Sequence, residues 1–131
     1  MNKPVFFIVG VAKVGPTSLV GYLGQHPDVL FPKITEPKYF SLDENIFPPH
    51  ARGSTLADSR LVKSMAEYAA PFTQGVRCTA RGEPSVDYLF FYVAEEIRKD
   101  IRDANIILVL RNPVDRAHLA YMHYVRDGLK I

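Results

Sequence analysis

Lys13 lies between two glycines in the stretch Val9-Gly10-Val11-Ala12-Lys13-Val14-Gly15-Pro16-Thr17-Ser18-Leu19. An apolar run leads into this stretch and a helix-compatible run follows it. A strand that ends in a glycine-punctuated loop and then opens a helix makes an oxyanion site. The first helical N–H groups have no partner within the helix, and the positive end of the helix dipole lies there. Lys13 adds a full charge. The pattern is not the nucleotide-triphosphatase loop G-x-x-x-x-G-K-[ST], because Pro16 stands where that loop needs lysine. Taken alone, the stretch could also be a tight turn with a solvated lysine. Two more side chains could do chemistry. Glu36, in Thr35-Glu36-Pro37-Lys38-Tyr39-Phe40, could take a proton from an acceptor or be a solvated loop charge. Arg111, in Leu110-Arg111-Asn112-Pro113-Val114-Asp115-Arg116-Ala117, could fork onto a phosphate or pair with Asp115.

These residues need elements to hold them. Pro4–Val9 reads as a buried strand, Thr17–Gln25 as a helix and Val29–Phe31 as a short strand. Residues 41–57 read as a long surface loop of the kind that often serves as a lid. Asp58 can cap a helix over Ser59–Ala70, closed by Pro71. Val76–Glu83 reads as a strand and Phe91–Arg102 as an amphipathic helix. Ile106–Leu110 is a β-branched and leucine run expected of a central parallel strand. Asn112 caps a last helix with Pro113 at its first position. On that helix Val114, Ala117, Tyr121, Tyr124 and Val125 form an apolar stripe expected to face the core, with Leu119 on the polar side. Arg116 reads as structural. Strand and helix alternate, so the expected fold is α/β, a three-layer parallel sheet in one domain over residues 1–131. A crossover helix normally leads to another strand; the sheet therefore reads as unfinished, a piece of a longer domain.

Composition narrows the function classes. The chain has 131 residues, 47% hydrophobic and 23% charged, which is a globular balance. A net charge of +2, from 16 basic and 14 acidic side chains, gives no footprint for nucleic acid or a membrane surface. The lone Cys78 rules out an internal disulfide framework, and the four histidines lack metal-ligand spacing. There is no apolar run of membrane-spanning length and no secretory leader pattern, which makes a cytoplasmic location the expectation. Nothing in the sequence fixes the oligomeric state.

Three segments together resemble the sulfotransferase superfamily, whose members take a sulfuryl group from 3′-phosphoadenosine 5′-phosphosulfate (PAPS). Val9–Leu19 is similar to that family's P-loop-like phosphosulfate-binding loop. Thr35–Phe40 is similar to the K-E-P-x-F/Y-F segment of its carbohydrate-type and bacterial members. Leu110–Ala117 is similar to its 3′-phosphate strand-to-helix motif, and Gly82-Glu83-Pro84-Ser85-Val86-Asp87-Tyr88 is a weaker match. The matches run along nearly the whole chain but cover only the family's N-terminal part. The resemblance implies that Lys13 stabilises charge on the leaving phosphate and that Glu36 is the general base. It implies that Lys13, Val14, Gly15, Pro16, Thr17 and Ser18 hold the phosphosulfate while Arg111 takes the 3′-phosphate. It also implies a hydroxyl or amine acceptor on a carbohydrate or other small molecule, and no metal.

Three positions depart from the family pattern. Pro16 has neither an N–H nor a hydroxyl to offer where threonine is common. Val14 replaces a frequent glycine. Leu119 stands where a serine helps bind the 3′-phosphate. Losing a hydrogen bond to a charged group costs about 1.5–3 kcal/mol. The expected function is PAPS-dependent sulfuryl transfer. The alternative is an inactive relic that binds nucleotide weakly or serves as a protein-interaction module. A kinase or triphosphatase is disfavoured by the missing G-K-[ST] lysine.

Overall fold

The computed structural model describes residues 2–10, 16–33, 37, 39–41, 62, 64–75, 77–89 and 93–128. Four strands, β1 (Phe6–Gly10), β2 (Val29–Leu30), β3 (Ala80–Pro84) and β4 (Asn105–Val109), form one sheet in the order β2-β3-β1-β4. Every pairing is parallel. Four helices alternate with them: α1 (Pro16–Leu23), α2 (Met65–Ala69), α3 (Val93–Asp100) and α4 (Pro113–Arg126). Three 3-10 turns, at Tyr39–Ser41, Ala70–Gly75 and Val86–Leu89, complete the described elements. The expected α/β parallel architecture is what forms.

β1 can occupy the middle because Phe6, Phe7, Ile8 and Val9 are apolar in succession, so both of its faces can be covered. Successive side chains point to opposite faces. Phe7 and Val9 join the main core with Phe40, Val62, Tyr68, Phe72, Tyr88, Val93 and Ile97. Phe6 points the other way and meets the edge of Phe31, with ring centres 5.7 Å apart at 81°. The sheet is therefore the middle of three layers.

Several boundaries differ from expectation. α1 begins at Pro16, the first helical position that proline tolerates, and ends at Leu23. β3 starts at Ala80 and α3 ends at Asp100, while Val76 and Phe91 lie outside the described residues. α2 is capped by Ser64, whose hydroxyl accepts from Glu67 N–H at 3.2 Å. The Ser64-x-x-Glu67 spacing is that of a capping box, a stronger start signal than Asp58. Asp58, residues 59–61 and nearly all of the expected 41–57 loop lie outside the described residues.

Two expectations about the core are corrected. Ile106–Leu110 was expected to be central, yet β4 is the edge of the described sheet, and Ile106, Ile107 and Leu108 remain substantially exposed. β1 takes the central place because β3 pairs along its other side. On α4 the apolar stripe is exposed: Val114 retains 75% of its surface, and Tyr121, Tyr124 and Val125 about half. The half-buried residues are Arg116, Leu119, Ala120 and His123, spaced i, i+3, i+4, i+7. Leu119 thus lies on the inward face, not the polar one. The helix starts at the Asn112 cap, whose side-chain oxygen accepts from Val114 N–H at 2.9 Å.

Gly82 is required by close approach. A Cβ there would come within 2.3 Å of the Phe6 ring and 2.5 Å of the Phe31 ring. Gly82→Ala is therefore expected to destabilise the protein by about 1–3 kcal/mol through overpacking. Thermal unfolding checks this, and an unchanged Tm would mean that the two rings yield freely.

Candidate functional site

The strand register gathers three chain segments at one end of the sheet. Gly10, the last residue of β1, pairs with Val109, the last residue of β4. The chain leaving β1 leads to α1 and the chain leaving β4 leads to α4. On the other side of β1, Pro84 ends β3 opposite Ile8, and Ser85 N–H donates to Ile8 C=O at 3.0 Å. In open parallel sheets ligands bind beyond the carboxyl ends of the strands.

Lys13, Val14, Gly15 and Glu36 lie outside the described residues, as does the side chain of Pro16. Thr17 and Ser18 follow in the first turn of α1 and are exposed. No acidic residue occupies that turn, so no carboxylate competes there for an anion. Arg111 is exposed, two residues past the end of β4. Among the described residues no carboxylate pairs with it, and Asp115, the partner weighed from sequence, does not. Arg116 Nε is buried with no hydrogen-bond partner among the described residues. The fold thus brings Thr17, Ser18 and Arg111 to the same end of the sheet. Among the described residues no group of three or more His, Cys, Asp or Glu side chains is placed to hold a metal. No described helix is long and apolar enough to cross a membrane.

A buried polar cluster forms around Glu83 near this end of the sheet. Glu83 has no exposed surface, and Ser85, Tyr68 and Tyr88 surround it. Ser85 Oγ donates to Glu83 Oε1 at 2.6 Å, and the Tyr68 hydroxyl donates to Oε2. The Tyr88 hydroxyl also hydrogen-bonds Glu83 and accepts from Phe40 N–H at 3.3 Å. Burial holds the Glu83 carboxyl above its ordinary value, an effect that hydrogen bonds from Ser85, Tyr68 and Tyr88 oppose. Both phenols are raised well above 10, first by burial and then by the neighbouring Glu83 charge. A usable signal was present in the sequence: Glu83 is an acidic residue set between Gly82 and Pro84 at the end of a strand.

Comparison with solved structures finds a sulfotransferase from Alicyclobacillus acidocaldarius, similar at a TM-score of 0.84 and 41% sequence identity. The match covers 99% of this chain and 53% of that one, so the chain spans about half the length of the solved relative. No family model matches the chain, and no curated protein does. The chain belongs to the sulfotransferase superfamily.

The Glu83 shift sets a sign for stability against pH. The native state keeps the Glu83 proton to higher pH than the unfolded chain, whose carboxyl titrates near the ordinary 4.5. The group's stabilisation is therefore full below that value and is lost as pH rises through the raised native one. Glu83→Gln is expected to flatten the fall of Tm with pH above about 4.5. Parallel Tm profiles for variant and parent would show that Glu83 titrates at its ordinary value.

Proposed function

We propose that this member of the sulfotransferase superfamily transfers a sulfuryl group from PAPS to a hydroxyl or amine of a carbohydrate or other small acceptor. The observation that supports this reading is the pairing of Gly10 with Val109, which puts the end of the strand that precedes Lys13 in the chain beside the end of the strand that precedes Arg111. Residues a hundred positions apart can then grip the two ends of one nucleotide. In this reading the N–H groups of Val14, Gly15, Thr17 and Ser18, with the Thr17 and Ser18 hydroxyls, hold the 5′-phosphosulfate. Arg111 forks onto the 3′-phosphate. Glu36 takes the acceptor proton as the acceptor oxygen or nitrogen attacks sulfur. The sulfur–oxygen bond to the 5′-phosphate breaks in line, and the electron pair leaves on adenosine 3′,5′-bisphosphate. Lys13 stabilises that developing charge. No metal enters the reaction in this reading.

A second reading, a relic that binds nucleotide weakly, is favoured by two positions. Pro16 opens α1 without an N–H to give, and Leu119 lies on the inward face of α4 next to the unpartnered Arg116 Nε. Titration calorimetry with adenosine 3′,5′-bisphosphate separates the two readings. Micromolar binding that Arg111→Ala weakens by about 10- to 150-fold supports the enzyme, since a charge-assisted hydrogen bond is worth about 1.5–3 kcal/mol. Millimolar or absent binding supports the relic.

Catalysis is tested by release of adenosine 3′,5′-bisphosphate from PAPS with a panel of sugar hydroxyls and amines. Lys13→Ala and Glu36→Gln are each expected to lower turnover by about 10²- to 10⁴-fold. Unchanged turnover in both would refute the assigned roles.

A further inference from the structure

Sulfuryl transfer as proposed makes no use of the fully buried carboxylate. Stability does not account for it either: burying a carboxyl costs free energy, and apolar residues of similar volume often replace buried polar networks at no loss. What the network does supply is position. Tyr68 comes from α2 and Tyr88 from the 86–89 turn, and both hydroxyls end on Glu83 at the carboxyl end of β3. Both phenols also grip the 39–41 turn. The Tyr88 oxygen takes the Phe40 N–H at 3.3 Å. The Tyr68 ring stacks on Tyr39, with centres 4.9 Å apart at 18°, and meets Phe40 edge-on at 5.3 Å and 80°. Phe40 in turn packs edge-on against Phe7 of β1 at 6.0 Å. One carboxylate thus ties a backbone amide and two rings of this turn to the strand ends. Glu36 stands three residues before Tyr39 in the chain, with the buried Pro37 between them.

We propose that Glu83 is a positioning residue. Through Tyr88 and Tyr68 it fixes the 39–41 turn against the core, and so anchors the chain three residues after the acceptor-side base Glu36. The inference rests on the reading of Glu36 as base. It predicts a division of labour, because Glu83 serves the acceptor side and the loop of Lys13 with Arg111 serves the nucleotide.

Glu83→Gln and the milder Tyr88→Phe, which removes only the hydroxyl that receives Phe40 N–H, test it together. Amide hydrogen exchange over residues 37–41 is expected to speed up by about tenfold or more in both, with β1 and β4 still protected. For PAPS turnover, kcat is expected to fall about 10- to 100-fold, the scale of a misplaced catalytic group. KM for PAPS and the affinity for adenosine 3′,5′-bisphosphate should stay within about twofold. Adding Tyr88→Phe to Glu36→Gln should lower kcat no further than Glu36→Gln does alone, since Tyr88 acts only through the Glu36 carboxylate. Losses that instead multiply, or a KM for PAPS that rises as kcat falls, would overturn the inference. Unchanged exchange over 37–41 in both variants would overturn it whatever Glu36 does. Full turnover in Glu36→Gln alone would overturn the base reading instead, so the two failures are told apart.

Discussion

The parallel pairing of β1 on both sides is the constraint from which the rest of this structure follows. Its four apolar residues supply both faces of the sheet, so one short segment seeds two separate packing layers. Because all the strands run in the same direction, their carboxyl ends all lie at one end of the sheet. A one-residue slip of β4 against β1 would turn each of its side chains to the opposite face and carry Arg111 one step along the sheet. The hydrogen-bonded ladder of the sheet is thus also the ruler of the proposed nucleotide site.

Beside this ladder, the Glu83 cluster shows a different use of free energy. Hydrophobic contacts are tolerant of small shifts, whereas hydroxyls converging on one carboxyl accept only a narrow set of geometries. Among the described residues, rings and hydroxyls supplied by distant segments hold the 39–41 turn. Gly82, next to Glu83, makes room for two aromatic rings on the opposite face. Adjacent residues of one strand therefore serve the two layers in unlike ways, one by absence of a side chain and the other by a buried polar one.

Much of this was legible in the sequence, where local chemistry decides. The apolar run of β1, proline at the first position of α1, and the Asn112-Pro113 start of α4 each state their structure within a few residues. The Ser64-x-x-Glu67 cap is equally local, and it starts α2 later in the chain than Asp58 would. The surfaces of β4 and α4 were not legible for a different reason. Hydrophobic periodicity identifies a face that wants burial, not the direction in which the rest of the chain lies. Val114, Tyr121, Tyr124 and Val125 do form an apolar stripe, but no described segment covers it, and the chain spans about half of its solved relative. The convergence of Tyr68, Glu83, Ser85 and Tyr88 depends on packing between three separate elements, and no pattern along the chain announces it. Of the proposed site, Thr17 and Ser18 lie in the first turn of α1 and Arg111 follows the end of β4. The places of Lys13 and Glu36 rest on sequence alone.

The position of β1 in the chain also bears on how the protein is made. Phe6 finds its partners at Gly82 and Asn105, which are synthesised 76 and 99 residues later. At ribosomal speeds of about 5–20 residues per second, this apolar strand waits for several seconds or more before its ladder can close. Contacts so distant in sequence make the sheet a late and slow event in folding. An apolar strand is thus made well before the two neighbours that satisfy its backbone.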